Sequence, residues 1–571
     1  MQEWVRGQKK SRTSGVIIHN LSELLAYSQQ FSLPASVPLL TDGAARPPAA
    51  LVASVASSET LFIPMDVRAY NIHGACYTGP HQIQWMGQLA KMPGEWQVHI
   101  DGKYKLHHAS WLLLTIGTHR LRYDVGHQTL SNSFIPLVYL FCKEGESDGA
   151  CHLLTHALVA TGKKYFDVKL TPGSGSTDHA PALRKCMVDE WPAIEYGQCY
   201  PHLIRKYREG QFFKGTSIKK TWEKFEKGGE MITDIHLCGT PPMKALVIRE
   251  VGKIWDVWGH QMDKFWDSNC TPPWDCWSIC DMTTMLSTPS NQVQETWHKQ
   301  LMQSIIPGMF KGSTESVISQ TIPRLIRMDG TRIPDLLGFD VSAVLNSPPR
   351  PWPFPQDSPP RSSGVQVPAI PTGILKKAKW YVDHQATHIH IARDGKGGFI
   401  WYVLRKDNPG GWKKVLNKTL QAYIDACNGK KAPMIKTYAD LANVCQGYHH
   451  LVVAAKRVPG CDMNKAKLDC PTCKGFKLYG ICSHVVAINT ILGKADVDDS
   501  LAQLSKPRKQ RGGGFRSGVR PALMKEKEAE SDSSPPPESD SSDDEPLSKR
   551  VKVREALTGP KTKGLKGLQL P

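Results

Sequence analysis

No stretch of this 571-residue chain approaches 18 consecutive apolar residues, the length a membrane-spanning helix requires. The N-terminus, MQEWVRGQKKSRTSG, carries basic residues with no apolar run behind them. Neither a membrane span nor a secretory signal is therefore expected. Acid is also in short supply. There are 53 Asp and Glu residues against 71 Lys and Arg, a net charge of +18 and a pI near 9.2. That imbalance points to a polyanionic partner, nucleic acid first and an anionic membrane surface second. No internal repeat is visible, which argues against a repeat array.

Cysteine, by contrast, is plentiful, with 15 residues in the chain. Without a secretory signal these are expected as reduced thiols inside a cell, so closely spaced ones read as metal ligands before disulfides. A hydrophobic content of 40% is enough for at least one substantial core, and the length suggests roughly three or four units.

Residues 1–60 are weakly patterned and rich in Ala, Ser and Pro after residue 33, as in a flexible segment, and 61–95 read as a lead-in. The pattern then changes. WQVHI (96–100), SWLLLTIG (110–117) and FIPLVYLFC (134–142) are three β-rich apolar runs. Cys151, Leu154 and Leu158 share a helical face over about 149–161. YFDVKLT (165–171) reads as a fourth strand leading into GSGSTD and a helix from about residue 179. Three strands, a helix, a strand and a helix predict an α/β domain with a mixed sheet.

Residues 203–285 read as mainly helical and Trp-rich. The Pro-rich SPPRPWPFPQDSPP (347–360) lies in a linker, 346–373, expected as extended polyproline II. A C-terminal unit, 374–500, opens with AKWYVDHQATHIHIARDGKGGFIWYVLRK, read as two β-segments about an Arg-Asp-Gly-Lys-Gly turn. A helical stretch and a Cys/His cluster follow. Residues 501–571 are poor in apolar residues and expected to be disordered.

Three carboxylates sit at suggestive places. Asp101 follows the alternating Val98 and Ile100, Asp178 stands at a strand-to-helix junction, and Glu295 lies in SNQVQETWHKQLM, a helix with Val293, Trp297 and Leu301 on one face. Ligands gather at strand ends of α/β sheets, and carboxylates suit Mg²⁺ or Mn²⁺. An Asp-Gly pair is equally a turn former, and Lys103 and Lys105 suit either phosphate contact or a solvated strand face.

DGKYKL, the three-strand meander, a helix, a strand and TDHAPALRKCM together resemble the Mutator-like (MULE) transposase domain over roughly 96–330. So do YGQCYPHLIRKYR (196–208), which holds Cys199-x-x-His202, the helical insertion and the SNxxxE segment. The resemblance implies an RNase H-like fold and a DDE site at Asp101, Asp178 and Glu295 binding Mg²⁺ or Mn²⁺. Glu315, in KGSTESVISQ, is the nearest competitor for the third acid. Cys199 and His202 read as half a metal site or as packing support for the acids.

LDCPTCKGFKLYGICSHVVAINTIL (468–492) carries Cys470-x2-Cys473-x8-Cys482-x-His484. Three thiolates and an imidazole suit tetrahedral Zn²⁺ in a closed, structural site, and Val485, Ile488 and Leu492 place a helix just after His484. The segment, about 460–492, resembles a SWIM zinc finger, a module found C-terminal to MULE transposase domains; Cys445 and Cys461 lie outside the compact four-ligand cluster. SKPRKQRGGGFRSGVR (505–520) suits a phosphate-binding arm or a solvated linker. ESDSSPPPESDSSDDE (530–545) is an acidic, Ser-rich segment, and KRVKVR (549–554) fits a nuclear localisation signal.

The expectation is a nuclear DNA transposase, or a protein derived from one, performing metal-dependent DNA cleavage and strand transfer with a structural zinc module. The alternatives are a domesticated, inactive DNA-binding regulator and a SWIM-based protein-interaction adaptor.

Overall fold

A computed structural model describes residues 18–32, 60–103, 107, 109, 111–124, 129–209, 222–258, 263–284, 287–300, 312–337, 370–393, 399–406, 412–454, 467–479, 481–493, 496–498 and 500–501. The basic arm, the acidic segment and KRVKVR lie outside them, as do most of the Pro-rich linker and Lys105. No helix among the described residues is long and apolar enough to cross a membrane.

The first helix, α1, is Leu21–Ser28, capped by the Asn20 side chain on the Glu23 amide. Seven strands then form one mixed sheet: β1 (Leu61–Ile63), β2 (Gly74–Thr78), β3 (Gln97–Lys103), β4 (Leu112–Asp124), β5 (Thr129–Cys142), β6 (Ser174–Thr177) and β7 (Glu195–Gln198). Their order across the sheet is β1-β2-β5-β4-β3-β6-β7. Every pairing from β1 to β3 is antiparallel, while β3–β6 and β6–β7 are parallel. The chain is thus α/β with a mixed sheet, and β3 is the strand at which the pairing changes sense.

Both faces of the sheet are buried, which explains the near-continuous apolar runs. Leu112, Leu114 and Ile116 of β4 pack with Val98 and Ile100 against α2 (Pro80–Leu89), α3 (Asp148–Phe166) and α4 (Pro181–Glu190). On the opposite face Leu113, Phe134, Tyr139 and Phe141 meet Trp297, Ile322, Leu325 and Leu24 of α1.

Three expectations need correction. Residues 165–171 are not a strand. Tyr165 and Phe166 complete α3, whose last turn carries Lys163 and Lys164 at the negative end of the helix dipole. The helix stops at Asp167 in a left-handed conformation, φ 52°. The strand is instead Ser174–Thr177, four small residues in the GSGSTD segment that follows. They fit because Met187 and Ile194 close over Gly175, where a Cβ would lie only 2.6 Å from the Met187 sulfur. The lead-in, 61–95, supplies two strands and a helix to the same sheet, and α1 stands within a segment expected to be flexible. Finally, AKWYVDHQATH opens as helix: Thr372–Asp383 buries Leu375, Ala378 and Tyr381 at helical spacing.

After β7 come α5 (Tyr200–Arg208), α6 (Trp222–His236), α7 (Pro241–Trp258), α8 (Asp263–Asn269), α9 (Gln292–Gln300) and α10 (Ile322–Leu337). The C-terminal part holds α11 (Thr372–Asp383), β8 (Ile389–Arg393), β9 (Phe399–Leu404), α12 (Trp412–Cys427), α13 (Tyr438–Gly447), β10 (Tyr448–Ala454), β11 (Lys467–Asp469), α14 (Lys474–Tyr479) and α15 (Ser483–Ile491). Its four strands form a second, antiparallel sheet ordered β11-β10-β9-β8.

The two parts share a core. Leu203 and Tyr207 of α5, Ile232 and Ile235 of α6 and Val247 and Val251 of α7 pack in one cluster with Tyr402, Leu420 and Tyr423. Buried Asp234 accepts hydrogen bonds from Tyr438 and Gln446 across that contact. The apolar faces of the Trp-rich helices are thus covered largely by the C-terminal unit.

Candidate functional site

The parallel register around β3 brings distant residues together. His99 is level with Ser176, so two residues on, at the carboxyl ends of the strands, Asp101 stands beside Asp178. Thr177 is level with Gln198 on the next strand, so Asp178 in turn neighbours Cys199, whose amide donates to the Thr177 carbonyl at 2.9 Å. Asp101 thus lies within β3, opposite Thr115 of β4, rather than in a turn. Pro201 near the start of α5 turns the chain so that His202 faces back over Asp178.

The third acid arrives on α9. Gln294 donates from Nε2 to the Thr115 carbonyl and hydroxyl oxygens at 3.0 and 2.7 Å, pinning the helix across β4. This sets Glu295 Oε1 at 3.2 Å from His202 Nδ1, which lies 2.6 Å from Asp178 Oδ1. One turn along α9, His298 Nδ1 lies 3.3 Å from Asp101 Oδ2. Asp178, Cys199, His202 and Glu295 offer ligand atoms that all lie within 4.8 Å of one another. Asp101 is outside that set but close enough to raise the pKa of Glu295.

Sequence reasoning missed Glu146, in the turn between β5 and α3. Its carboxylate lies over Gly102, where a Cβ would come within 2.6 Å of Oε1. A side chain there would displace the Glu146 carboxylate or the Leu112 methyls, and that glycine was the one available signal. His298 was missed as well, although it stands three residues beyond Glu295. Glu315 does not join the group. It is buried, accepting hydrogen bonds from Ser319 at 2.8 Å and Tyr27 at 3.3 Å. Lys103 ends β3.

Crowded acids resist ionisation. Burial, then Asp101 and Asp178, pushes Glu146 up to about 7. Burial likewise raises Glu295, with Asp178 and Asp101 adding to it and His202 and Arg205 opposing. For His202, burial disfavours charge, but contact with Asp178 and Cys199 outweighs it and lifts the imidazole to about 10. The ring's charged form is therefore favoured where it stands between the oxygens of Asp178 and Glu295.

An acid raised in the folded state favours folding fully below its unfolded pKa, here near 4.5, and loses that contribution as pH rises through about 7. In buffer without added Mg²⁺ or Mn²⁺, the protein should lose stability between those pH values. Glu146→Gln should flatten the curve and gain on the order of 2 kcal/mol at pH 8, after allowance for partial exposure. Urea unfolding across the range measures it; an unchanged slope in the variant would remove Glu146 from the acidic group.

Helix α9 is also tied from behind. Buried Asp329 of α10 accepts from Trp297 Nε1 at 2.9 Å and from the Tyr139 hydroxyl at 2.7 Å, joining α9, α10 and β5. Asp329→Ala leaves both donors without that acceptor and should cost about 2–4 kcal/mol by denaturant titration. A change below about 0.5 kcal/mol would mean that the three elements are held by apolar contact alone.

The second cluster is C-terminal. Cys470 follows β11, Cys473 precedes α14, Cys482 caps α15 and His484 sits in its first turn. All four are buried, and their ligand atoms lie within 4.8 Å of one another, with Cys470 Sγ at 3.8 Å from His484 Nδ1. Burial pushes the Cys470 and Cys482 thiols well up, so ionising them calls for a cation among them. The cluster can hold a metal ion, and three sulfurs with one imidazole are compatible with zinc. Val485, Val486 and Ile488 of α15 pack on Leu375 and Ala378 of α11, and Tyr381 contacts the His484 ring at a centroid distance of 5.3 Å. Thr472, between the first two cysteines, covers Gly239, and Lys477 donates to the Met282 carbonyl at 2.7 Å.

No protein-family model matches this chain, and a search of curated proteins finds no match.

Proposed function

We propose that the protein is a DNA transposase of the MULE type, or a descendant of one, that cleaves and joins DNA at Asp101, Asp178 and Glu295. The observation that carries this reading is the parallel register that sets Asp101 beside Asp178 at the carboxyl ends of β3 and β6, with Glu295 delivered by α9. An antiparallel meander, β5-β4-β3, continued by parallel β6 and β7, is also the arrangement an RNase H-like fold calls for, and supports that assignment.

Bound Mg²⁺ or Mn²⁺ would activate the attacking oxygen and stabilise the leaving one. The chain's own part is to bind and orient. Asp101 is fixed from the sheet, Asp178 from the adjacent strand, and Glu295 from a helix tied to β4 by Gln294. A cleft of about 400 Å³ beside Glu295 is lined by Pro201, Ile204, Arg205, Arg208, Glu209 and Gln292. Two of these six are arginines, suited to a phosphate backbone. The net charge of +18 adds a salt-sensitive attraction for DNA.

Cys470, Cys473, Cys482 and His484 hold a structural Zn²⁺ in this reading, as a SWIM-type module packed on the helical insertion. KRVKVR directs the protein to the nucleus. The test is to look for terminal inverted repeats on either side of the gene and to assay Mg²⁺- or Mn²⁺-dependent cleavage of DNA bearing them. Cleavage that leaves 3′-hydroxyl ends supports the reading; an intact substrate contradicts it.

A further inference from the structure

A site meant only for Mg²⁺ needs carboxylates, waters and phosphate oxygens. The acidic centre contains more than that. Cys199, fully buried, and His202, 6% exposed, bring a sulfur and an imidazole nitrogen to the oxygens of Asp178 and Glu295. His202 Nδ1 lies 2.6 Å from Asp178 Oδ1 and 3.2 Å from Glu295 Oε1, so the imidazole nitrogen already faces oxygens of both acids. A divalent ion bound at that nitrogen would take the place of the ring's proton between the same oxygens. The set is built rather than fortuitous. Cys199 Sγ is itself positioned by the Asn291 amide, which donates to it at 3.1 Å from the turn leading into α9.

We infer that Asp178, Cys199, His202 and Glu295 form a second site for a thiophilic divalent ion of the zinc class, overlapping the proposed catalytic centre. Mixed sulfur, nitrogen and oxygen donors select zinc over magnesium. Bond lengths near 2.0 Å to N and O and 2.3 Å to S place tetrahedral ligand atoms about 3.3–3.8 Å apart. From separations within 4.8 Å, movements of about 1 Å complete such a shell. The ion engages Asp178 and Glu295 but not Asp101, which the set leaves out. Zinc and a catalytic magnesium pair therefore compete for the same two carboxylates. Zinc occupancy is a held-off state of the centre, a consequence that rests on the function proposed above, whereas the site itself does not.

The experiment is metal analysis of the full chain, purified with zinc in the growth medium and with a reductant but no chelator. The wild type should carry about two zinc ions. Cys199→Ser and His202→Gln should each carry about one, with the C-terminal ion retained, and Asp101→Asn about two. Should Cys199→Ser fail to fold, His202→Gln decides. Cobalt substitution gives a second readout: in a chain carrying Cys470→Ser and Cys482→Ser, thiolate-to-cobalt absorption should persist and disappear when Cys199→Ser is added. One zinc in the wild type, unaltered by His202→Gln, overturns the inference. A chain that carries two zinc ions as purified, yet leaves DNA intact under magnesium after the ion at the acidic centre has been stripped by brief chelation, would instead count against the proposed function alone. Cleavage by a chain with a single zinc would count against this site alone. Where both hold, micromolar zinc should suppress magnesium-dependent cleavage in the wild type.

Discussion

Cys482→Ser is expected to release the metal ion that the C-terminal cluster can hold and to unfold the segment between β11 and α15 while leaving the seven-stranded sheet folded. Cys482 is both a member of the Cys/His cluster and the N-cap residue of α15. Its loss leaves two buried thiols and an imidazole around an incomplete shell. Metal-linked folding free energy for small zinc modules is on the order of 10 kcal/mol, far more than the apolar contacts of so short a segment replace. Once α15 loosens, Leu375 and Ala378 of α11 lose the apolar surface they cover. The effect should reach the helical insertion through Thr472 and Lys477, though Asp234 and the core around Tyr423 remain. Hydrogen exchange would show deprotection over about 467–493 with β3–β7 unchanged, and metal analysis would show one zinc fewer. Full zinc retention in this variant would remove Cys482 from the ligand set; retention in Cys470→Ser with loss in Cys461→Ser would move the first ligand.

The second large effect concerns activity. Asp101→Asn keeps the shape of the side chain, and Gly102 can still accommodate Glu146. The fold should therefore tolerate the change. Removing one negative charge from Asp101, Asp178, Glu295 and Glu146 should also let Glu146 and Glu295 ionise more easily, because Asp101 contributes to raising both. Magnesium-dependent cleavage should nevertheless fall by at least about a thousandfold, since an amide is a poor substitute for an anionic ligand of a hard cation. A variant that melts like the wild type and still cleaves DNA would exclude Asp101 from the metal site. Glu315→Gln should leave cleavage intact, because its carboxylate is engaged by Tyr27 and Ser319 away from the acids.

How much of this was legible in the sequence differs from element to element. The long apolar strands were readable because burial on both faces leaves few polar interruptions, as in Leu112–Leu114 and Leu137–Phe141. The CxxC and CxH spacings were readable because all four ligands lie close along the chain. β6 was not, since Ser174–Thr177 has no β-branched or aromatic residue before Thr177 and becomes a strand only because β3 and β7 flank it. The false strand at 165–171 borrowed two aromatics that belong to the last turn of α3. Glu146 escaped because its role depends on the loop between β5 and α3 folding over Gly102, a contact 44 positions apart along the chain. The shared core of the insertion and the C-terminal unit was hidden for the same reason: amphipathic faces declare that they need cover, not what covers them.

The most direct measurement is a cleavage assay with the wild-type chain, metal-loaded at its C-terminal Cys/His cluster but freed of zinc at the acidic centre, on duplex DNA ending in inverted repeats sought on either side of the gene. We expect cleavage with Mg²⁺ or Mn²⁺, none without an added divalent ion, 3′-hydroxyl ends on the product and joining of those ends to target DNA. A folded, DNA-binding protein that leaves the substrate intact with either ion would contradict the account and favour a regulator that keeps the fold without the reaction.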